Sequence, residues 1–346
     1  MIQFLDEDFT SLNEWIEELS PSQILILVDQ NTHHYCLPTL LGNLRTEIPF
    51  EIIELEAGEE LKDLNSAVQL WEILAEFRTD RKALLINLGG GVISDLGGFV
   101  ASTYKRGIPF IHIPTTLLSM CDASIGGKTG IDFQFYKNLI GTFEFPKGIF
   151  VYREFLETLP KEQILSGLAE MLKHGLILDA KHWQDLTDLT QYNAKTIAPF
   201  IERSMELKQS VVEKDFKEQN IRKSLNFGHT IGHSIESLFL KLGKEVTHGH
   251  CVAMGMVIET QLSHALGKLN ASEAESIRQK LLSIYPLLPI DSFTNESLLE
   301  RMRHDKKNED TSYINFTLLC GIGNFLVNER VAESEIISVL DTYRAL

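Results

Sequence analysis

Ala83-Leu-Leu-Ile-Asn-Leu-Gly-Gly-Gly-Val-Ile-Ser-Asp95 is the stretch on which the reading of the fold turns. Ala83 to Leu88 is dominated by branched aliphatic residues and reads as a buried strand; Asp95 to Tyr104 reads as an amphipathic helix. Between them, Gly89, Gly90 and Gly91 remove side chains where backbone N–H groups and a helix N-terminus can hold a pyrophosphate. The alternative is a glycine-rich structural turn. The pattern is not G-x-G-x-x-G, so the standard dinucleotide fingerprint is not what this turn carries.

Outward from this unit, Ile24 to Val28, Glu51 to Leu55, Phe110 to Ile113 and Ile149 to Tyr152 also read as strands, and Leu64 to Phe77 as an amphipathic helix. Alternating strands and helices predict a parallel, doubly wound sheet, whose ligands collect at the carboxyl ends of the strands. Chemistry-capable residues fall at those ends. Asp29 follows the first strand, where a carboxylate can accept a ribose hydroxyl or serve as an ordinary turn residue. Gly58-Glu59-Glu60-Leu61-Lys62 follows the second, and reads otherwise as a solvated helix start. Further on, Gly126-Gly-Lys-Thr-Gly130 superficially matches the end of a Walker A loop, but Asp122 stands where that motif needs its first glycine. Lys128, Lys137 and Asn138 read instead as phosphate and carboxylate donors, or as surface residues on a glycine-rich loop.

Past Pro146 the pattern becomes helical almost to the end, with one more strand at Ile314 to Leu319. Thr158 and Pro160 mark a helix start, as cap and first-turn proline. On that helix Glu170, Lys173 and His174 share a face, which offers a carboxylate ligand or simply an i to i+3 salt bridge. In Arg222-Lys-Ser-Leu-Asn-Phe-Gly-His-Thr-Ile-Gly-His-Ser-Ile-Glu236, a helix from about Asn226 onward stacks His229 and His233 one turn apart. Leu225, Ile231, Ile235 and Leu238 then supply its packing face. Taken alone, the pair is equally two buried, hydrogen-bonded histidines. His248 and His250 open another apolar helix, and imidazole plus carboxylate without thiolate suits a catalytic zinc site with one open position. Lys208, Arg222 and the Arg301 to Lys307 segment add cations.

At 346 residues the chain is long for one core, and two domains are expected. Hydrophobic residues at 44% and charged residues at 23% are those of a globular soluble protein. The net charge of -16 excludes a general attraction to nucleic acid or anionic lipid, so an anionic substrate needs a local basic pocket. The opening residues lack a signal-peptide pattern, and no apolar run approaches membrane-spanning length; a cytoplasmic protein is expected. Cys36, Cys121, Cys251 and Cys320 have neither disulfide-framework nor C-x-x-C spacing.

Taken in order, Gly89-Gly-Gly-Val-Ile-Ser-Asp95, Pro114-Thr-Thr-Leu-Leu118, Asp122 to Asp132, Lys137-Asn-Leu-Ile-Gly141, Gly167-Leu-Ala-Glu-Met-Leu-Lys173, Arg222 to His233, His248-Gly249 and Asp305-Lys-Lys307 resemble the sugar-phosphate cyclases, and within them the 3-dehydroquinate synthase family. The likeness runs from about Ile24 to Ile322. It implies a Rossmann-like α/β domain at residues 1–155, a parallel sheet flanked by helices, and a mainly α-helical domain at 156–346 that binds metal and substrate. It implies NAD held by Asp29, Glu59, Lys62, Gly90, Gly91, Asp95, Thr115 and Thr116, by Lys128 and Lys137, and by Phe155, Thr158 and Leu159. A divalent metal, Zn2+ or Co2+, would sit on Glu170, His229 and His248. The resemblance gives His233 to the substrate instead, alongside Asp122, Lys128, Lys137, Asn138, Lys173, Lys208, Arg222, Asn226 and Lys306.

The implied reaction belongs to the shikimate pathway and makes 3-dehydroquinate from 3-deoxy-D-arabino-heptulosonate 7-phosphate. A secondary alcohol is oxidised transiently by NAD, phosphate is eliminated, the hydride returns, and the opened ring closes again by an aldol step. A homodimer is also implied. The alternatives are a related cyclase acting on sedoheptulose 7-phosphate or glucose 6-phosphate, and a metal-dependent polyol dehydrogenase. The chain departs from the family at His250, where an acid is usual, at Tyr136 before Lys137, and at Ser94 before Asp95. An imidazole in place of a supporting acid bears directly on metal affinity.

Overall fold

Apolar runs that are buried on both faces make the central strands of the α/β part, because a parallel sheet is covered above and below by its own crossover helices. The computed structural model describes residues 1–134, 136–303 and 313–346, so Lys306 lies outside the described residues. The chain divides into two compact units, Met1–Pro160 and Lys161–Leu346.

The first unit contains β1 (Ile2–Phe4), β2 (Ile24–Asp29), β3 (Phe50–Leu55), β4 (Leu84–Gly89), β5 (Phe110–Pro114), β6 (Lys128–Phe133), β7 (Tyr136–Phe143) and β8 (Gly148–Val151). Its helices are α1 (Thr10–Leu19), α2 (Gln30–Tyr35), α3 (Leu37–Asn43), α4 (Leu64–Glu76) and α5 (Gly91–Thr103). Six strands form one sheet in the order β1-β8-β5-β4-β2-β3, with every neighbouring pair parallel. The inner strands β2, β4 and β5 are buried almost throughout, and the edge strand β3 is largely exposed. Leu25, Leu27 and Leu85 of the sheet pack on Leu70 and Leu74 of α4 and on Leu96, Phe99 and Val100 of α5. From β2 the chain moves to β3 on one side, then returns to β4 on the other. The carboxyl ends of β2 and β4 therefore flank the topological switch point, the place where sheets of this kind bind ligands. Asp29 and the triple glycine stand there.

Three sequence readings are corrected. Helix α5 starts at Gly91, not Asp95, because Gly90 supplies the extended N-cap backbone. Thr158 does not cap α6 (Lys161–Leu178): it ends a 3-10 turn, Arg153–Thr158, and its hydroxyl donates to the Phe155 carbonyl at 3.3 Å. The histidine helix starts at His229, after a separate 3-10 turn at Ile221–Asn226. The antiparallel β6–β7 hairpin and the short strand β1 had no counterpart in the sequence reading.

The second unit continues with α7 (Ala180–Thr187), α8 (Ala194–Lys214), α9 (His229–Lys241), α10 (His248–Ala265), α11 (Ala271–Ile284), α12 (Asn295–Arg303) and α13 (Glu333–Arg344). An antiparallel pair, β9 (Tyr313–Gly321) and β10 (Asn324–Ala332), precedes the last helix. Helix α10 is apolar around most of its circumference and buried along most of its length, as a helix at the centre of a bundle must be. Among the described residues, no helix is long and apolar enough to cross a membrane.

Candidate active site

In the helical unit, α6, α9 and α10 meet through small residues. A Cβ on Gly255 of α10 would lie 1.9 Å from the carbonyl oxygen of Gly228, so only glycine lets the start of α9 rest on α10. Likewise a Cβ on Gly249 would lie 2.0 Å from the Ser166 carbonyl oxygen, and the Gly249 N–H donates to the Ser166 hydroxyl at 3.0 Å. Ser166 is one helical turn before Glu170, so this close approach brings His248, the first residue of α10, to the Glu170 carboxylate.

The result is a convergence of donors. Glu170 Oε1 lies 3.4 Å from His229 Nε2 and 3.5 Å from His248 Nε2. Both separations are long for hydrogen bonds. They match the edge of a coordination tetrahedron, about 3.3–3.4 Å for metal–ligand bonds of about 2.0–2.1 Å. Donor atoms of His229, His233 and His248 also lie within 4.8 Å of one another. His229 presents Nε2 because its Nδ1 pairs with the Phe227 carbonyl at 3.1 Å; His248 does so because its Nδ1 pairs with Glu236 Oε2 at 3.1 Å. This donor set fits a divalent ion: one carboxylate and two imidazoles with a shared focus, each imidazole oriented through its far nitrogen.

The electrostatics agree. Burial, then the Lys173 ammonium, holds His229 well below the usual imidazole range. Burial alone would also depress His248; the carboxylates of Glu236 and Glu170 outweigh it and lift the imidazolium to about 10. Lys173 is buried and ion-paired to Glu170, the i to i+3 salt bridge expected as one reading of that helix face.

Lys208 and Arg222 are buried in the same unit. Arg222 donates from Nη1 to the Phe216 carbonyl at 2.6 Å, and Asn226 from Nδ2 to Glu218 Oε1 at 2.7 Å. His233 is exposed, with its ring centroid 5.0 Å from that of His229 and 5.6 Å from that of His248. His174 pairs through Nδ1 with Ser204 Oγ at 2.8 Å, and it also offers a donor atom within 4.8 Å of one from Glu170.

In the α/β unit a second cluster forms on Lys62. Its buried ammonium lies 2.7 Å from Asp95 Oδ2 and 3.9 Å from Glu59 Oε1. Burial lowers the Lys62 pKa, but Asp95, Glu59 and Asp132 outweigh it and hold the cation above its ordinary value. Lys137 Nζ reaches Glu59 Oε1 at 3.3 Å, and Asp132 Oδ1 accepts from the Asn138 N–H at 2.7 Å. Thr115 donates its N–H to the Gly89 carbonyl at 3.1 Å, and a Cβ on Gly90 would meet Thr116 Cγ2 at 3.0 Å, so both threonines adjoin the glycine turn. No side chain caps α5 at Gly90, and Gly91 begins it. Asp29 caps α2, accepting from the Thr32 N–H at 2.8 Å. Asp122 lies in the turn Ser119–Ala123, Lys128 is exposed at the start of β6, and Phe155, Thr158 and Leu159 follow β8.

Residues 52–166 match the family described as 3-dehydroquinate synthase N-terminal, and residues 167–308 the one described as 3-dehydroquinate synthase C-terminal. The chain belongs to the 3-dehydroquinate synthase family. It is 42% identical over 338 residues to a 3-dehydroquinate synthase of Parabacteroides distasonis, covering 97% of this chain and 95% of that one. A solved 2-epi-5-epi-valiolone synthase of Streptomyces hygroscopicus, with NAD+ and Zn2+ bound, superposes with a TM-score of 0.84 at 25% identity, covering 100% and 96% of the two chains. A 2-deoxy-scyllo-inosose synthase complexed with carbaglucose-6-phosphate, NAD+ and Co2+ shares the fold, with a TM-score of 0.84 at 24% identity and coverage of 99% and 96%.

In this member of the 3-dehydroquinate synthase family, two buried acids escaped the sequence reading. Glu236 supports His248. Glu259 of α10 accepts from the Gly228 N–H at 2.6 Å through Oε2 and from the Ile231 N–H at 3.1 Å through Oε1, fixing the first turn of the histidine helix. Each left a signal. Glu236 lies two turns after His229 on one helix face, and Glu259 is the single acid of its helix and directly follows the apolar run Cys251 to Ile258. His250, where the family usually has an acid, donates from Nε2 to the Pro286 carbonyl at 2.6 Å.

Proposed function

We propose that this chain converts 3-deoxy-D-arabino-heptulosonate 7-phosphate into 3-dehydroquinate and phosphate, with NAD used catalytically and a divalent ion required. The observation that carries this reading is Glu170 Oε1, placed a tetrahedral edge from both His229 and His248 in a chain of this family. Glu170, His229 and His248 would hold the ion. When bound, the ion supplies Lewis acidity at a substrate oxygen and NAD supplies reversible acceptance of a hydride.

The remaining roles follow from charge and burial. In a protein of net charge -16, buried cations at Lys173, Lys208 and Arg222 concentrate positive charge locally, as a substrate bearing both a carboxylate and a phosphate requires. The guanidinium of Arg222 suits planar, bidentate recognition of either anion. Asn226, Lys128, Asn138, Asp122 and, by resemblance, Lys306 would complete the substrate contacts. His233, exposed beside the ligand histidines, can hold or move a proton at a substrate oxygen. For the nucleotide, the unshielded start of α5 at Gly90 and Gly91, next to Thr115 and Thr116, suits a pyrophosphate. Asp29, Glu59, Lys62, Asp95, Lys137, Phe155, Thr158 and Leu159 would serve its remaining groups.

The same proposal includes a homodimer, read out by the mass in solution. It also places the reaction in the cytoplasm, in keeping with free thiols at Cys36, Cys121, Cys251 and Cys320. A panel of sugar phosphates tests substrate identity. Phosphate should be released from the heptulosonate and not from sedoheptulose 7-phosphate or glucose 6-phosphate, which lack the carboxylate. Equal release from all three sinks the assignment in favour of a broader cyclase.

A further inference from the structure

We propose that Glu236 is a positioning residue for metal binding, holding His248 in the orientation and tautomer that directs Nε2 toward Glu170. This rests on the reading of Glu170, His229 and His248 as the ligand set. The two nitrogens of His248 stand between carboxylates from two different helices: Nδ1 is 3.1 Å from Glu236 Oε2, and Nε2 is 3.5 Å from Glu170 Oε1. An ionised carboxylate only accepts, so Nδ1 must carry the proton in that pairing. In the neutral ring Nε2 then keeps its lone pair, on the side where Glu170 and His229 converge. Helix α9 thus supplies one ligand, His229, and two turns later the support for the other.

Glu236 is itself buried, so its hold on the ring is not loosened by water. His250 does not share the task. Its Nε2 is committed to the Pro286 carbonyl at 2.6 Å and its ring stands 5.8 Å from that of Tyr285. The acid usual at position 250 is therefore not what orients His248 in this chain. The supporting carboxylate comes from the neighbouring helix.

The test is the dissociation constant for Zn2+, measured by chelator competition on the full chain, with the visible spectrum of the Co2+ form as a second readout. Glu236→Ala should bind Zn2+ about 10–100-fold more weakly than the unmodified chain, the usual cost of losing a ligand's outer partner. Glu236→Gln, whose amide oxygen can still accept from Nδ1, should lose less, and His250→Ala should match the unmodified chain. Should Glu236→Ala fail to fold, Glu236→Gln and Glu236→Asp carry the comparison. Unchanged Zn2+ affinity and Co2+ spectrum in the Glu236 variants, even with a lowered thermal midpoint, would overturn the proposal and leave the ligand set standing. His250→Ala weakening Zn2+ as much as Glu236→Ala would overturn it too. Full Zn2+ affinity in His229→Ala would instead sink the ligand set, and this proposal with it.

Discussion

Replacing Glu259 with Gln tests how the fold holds the histidine helix. The carboxylate accepts two backbone N–H groups at the start of α9, from Gly228 at 2.6 Å and Ile231 at 3.1 Å, deep in the core. A glutamine has one acceptor oxygen, so one buried N–H faces an amide NH2 instead, at a cost of about 1–3 kcal/mol. Loss of negative charge at the helix N-terminus adds about 0.3–1 kcal/mol, and relief of the buried charge's desolvation returns part of it. A net loss of about 1–3 kcal/mol is expected. In a Trp15→Phe, Trp71→Phe background, fluorescence of Trp183, buried in α7, reports denaturant unfolding of the helical unit. The midpoint should fall, and Zn2+ affinity with it, because His229 is the first residue of the loosened turn. An unfolding curve coincident with that of the parent and an unchanged Zn2+ dissociation constant would refute this reasoning.

His229→Ala should abolish stoichiometric metal, whereas His233→Ala should retain it and lose rate; metal analysis beside phosphate release distinguishes them. Lys128→Ala, at an exposed side chain, should cripple phosphate release while changing stability by no more than about 0.5 kcal/mol, and parallel loss of both contradicts its role as an anion contact. Acid should destabilise the fold through two buried histidines, since burial pushes His112 down to about 3 and His182 to about 4. Both are neutral when folded and take up a proton when unfolded near pH 6.5. Their contribution is therefore complete above that pH and is lost as pH falls, by up to about 1.4 kcal/mol per unit for each, ending near pH 4 for His182 and pH 3 for His112. Denaturant midpoints at pH 7 and pH 5 check this, and His112→Gln should flatten the slope.

The parallel core was legible because β2, β4 and β5 are mostly apolar runs, broken only by Asn87 in β4 and His112 in β5, and closed by Asp29, Gly89 and Pro114. The β6–β7 hairpin was not. Gly130 and Gly141 pair across it, and Leu139, Ile140 and Phe143 are exposed, so neither strand shows the alternation that marks one buried face. Strand β1, Ile2–Phe4, is too short for any period to register. In the site, His229 with His233, and Glu170 with Lys173, were visible because helical spacing is local. Glu236 and Glu259 were not, since a supporting acid is defined by what faces it from another helix. The identity of that partner depends on the Gly228–Gly255 contact, which no spacing along the chain encodes.

The most direct test of the account is to follow phosphate and NADH together while the purified protein, with NAD and one equivalent of Zn2+, acts on 3-deoxy-D-arabino-heptulosonate 7-phosphate. Many turnovers of phosphate are expected with no accumulation of NADH, because the hydride removed from the substrate is returned to it. NADH accumulating in step with substrate consumption, without phosphate release, would contradict it.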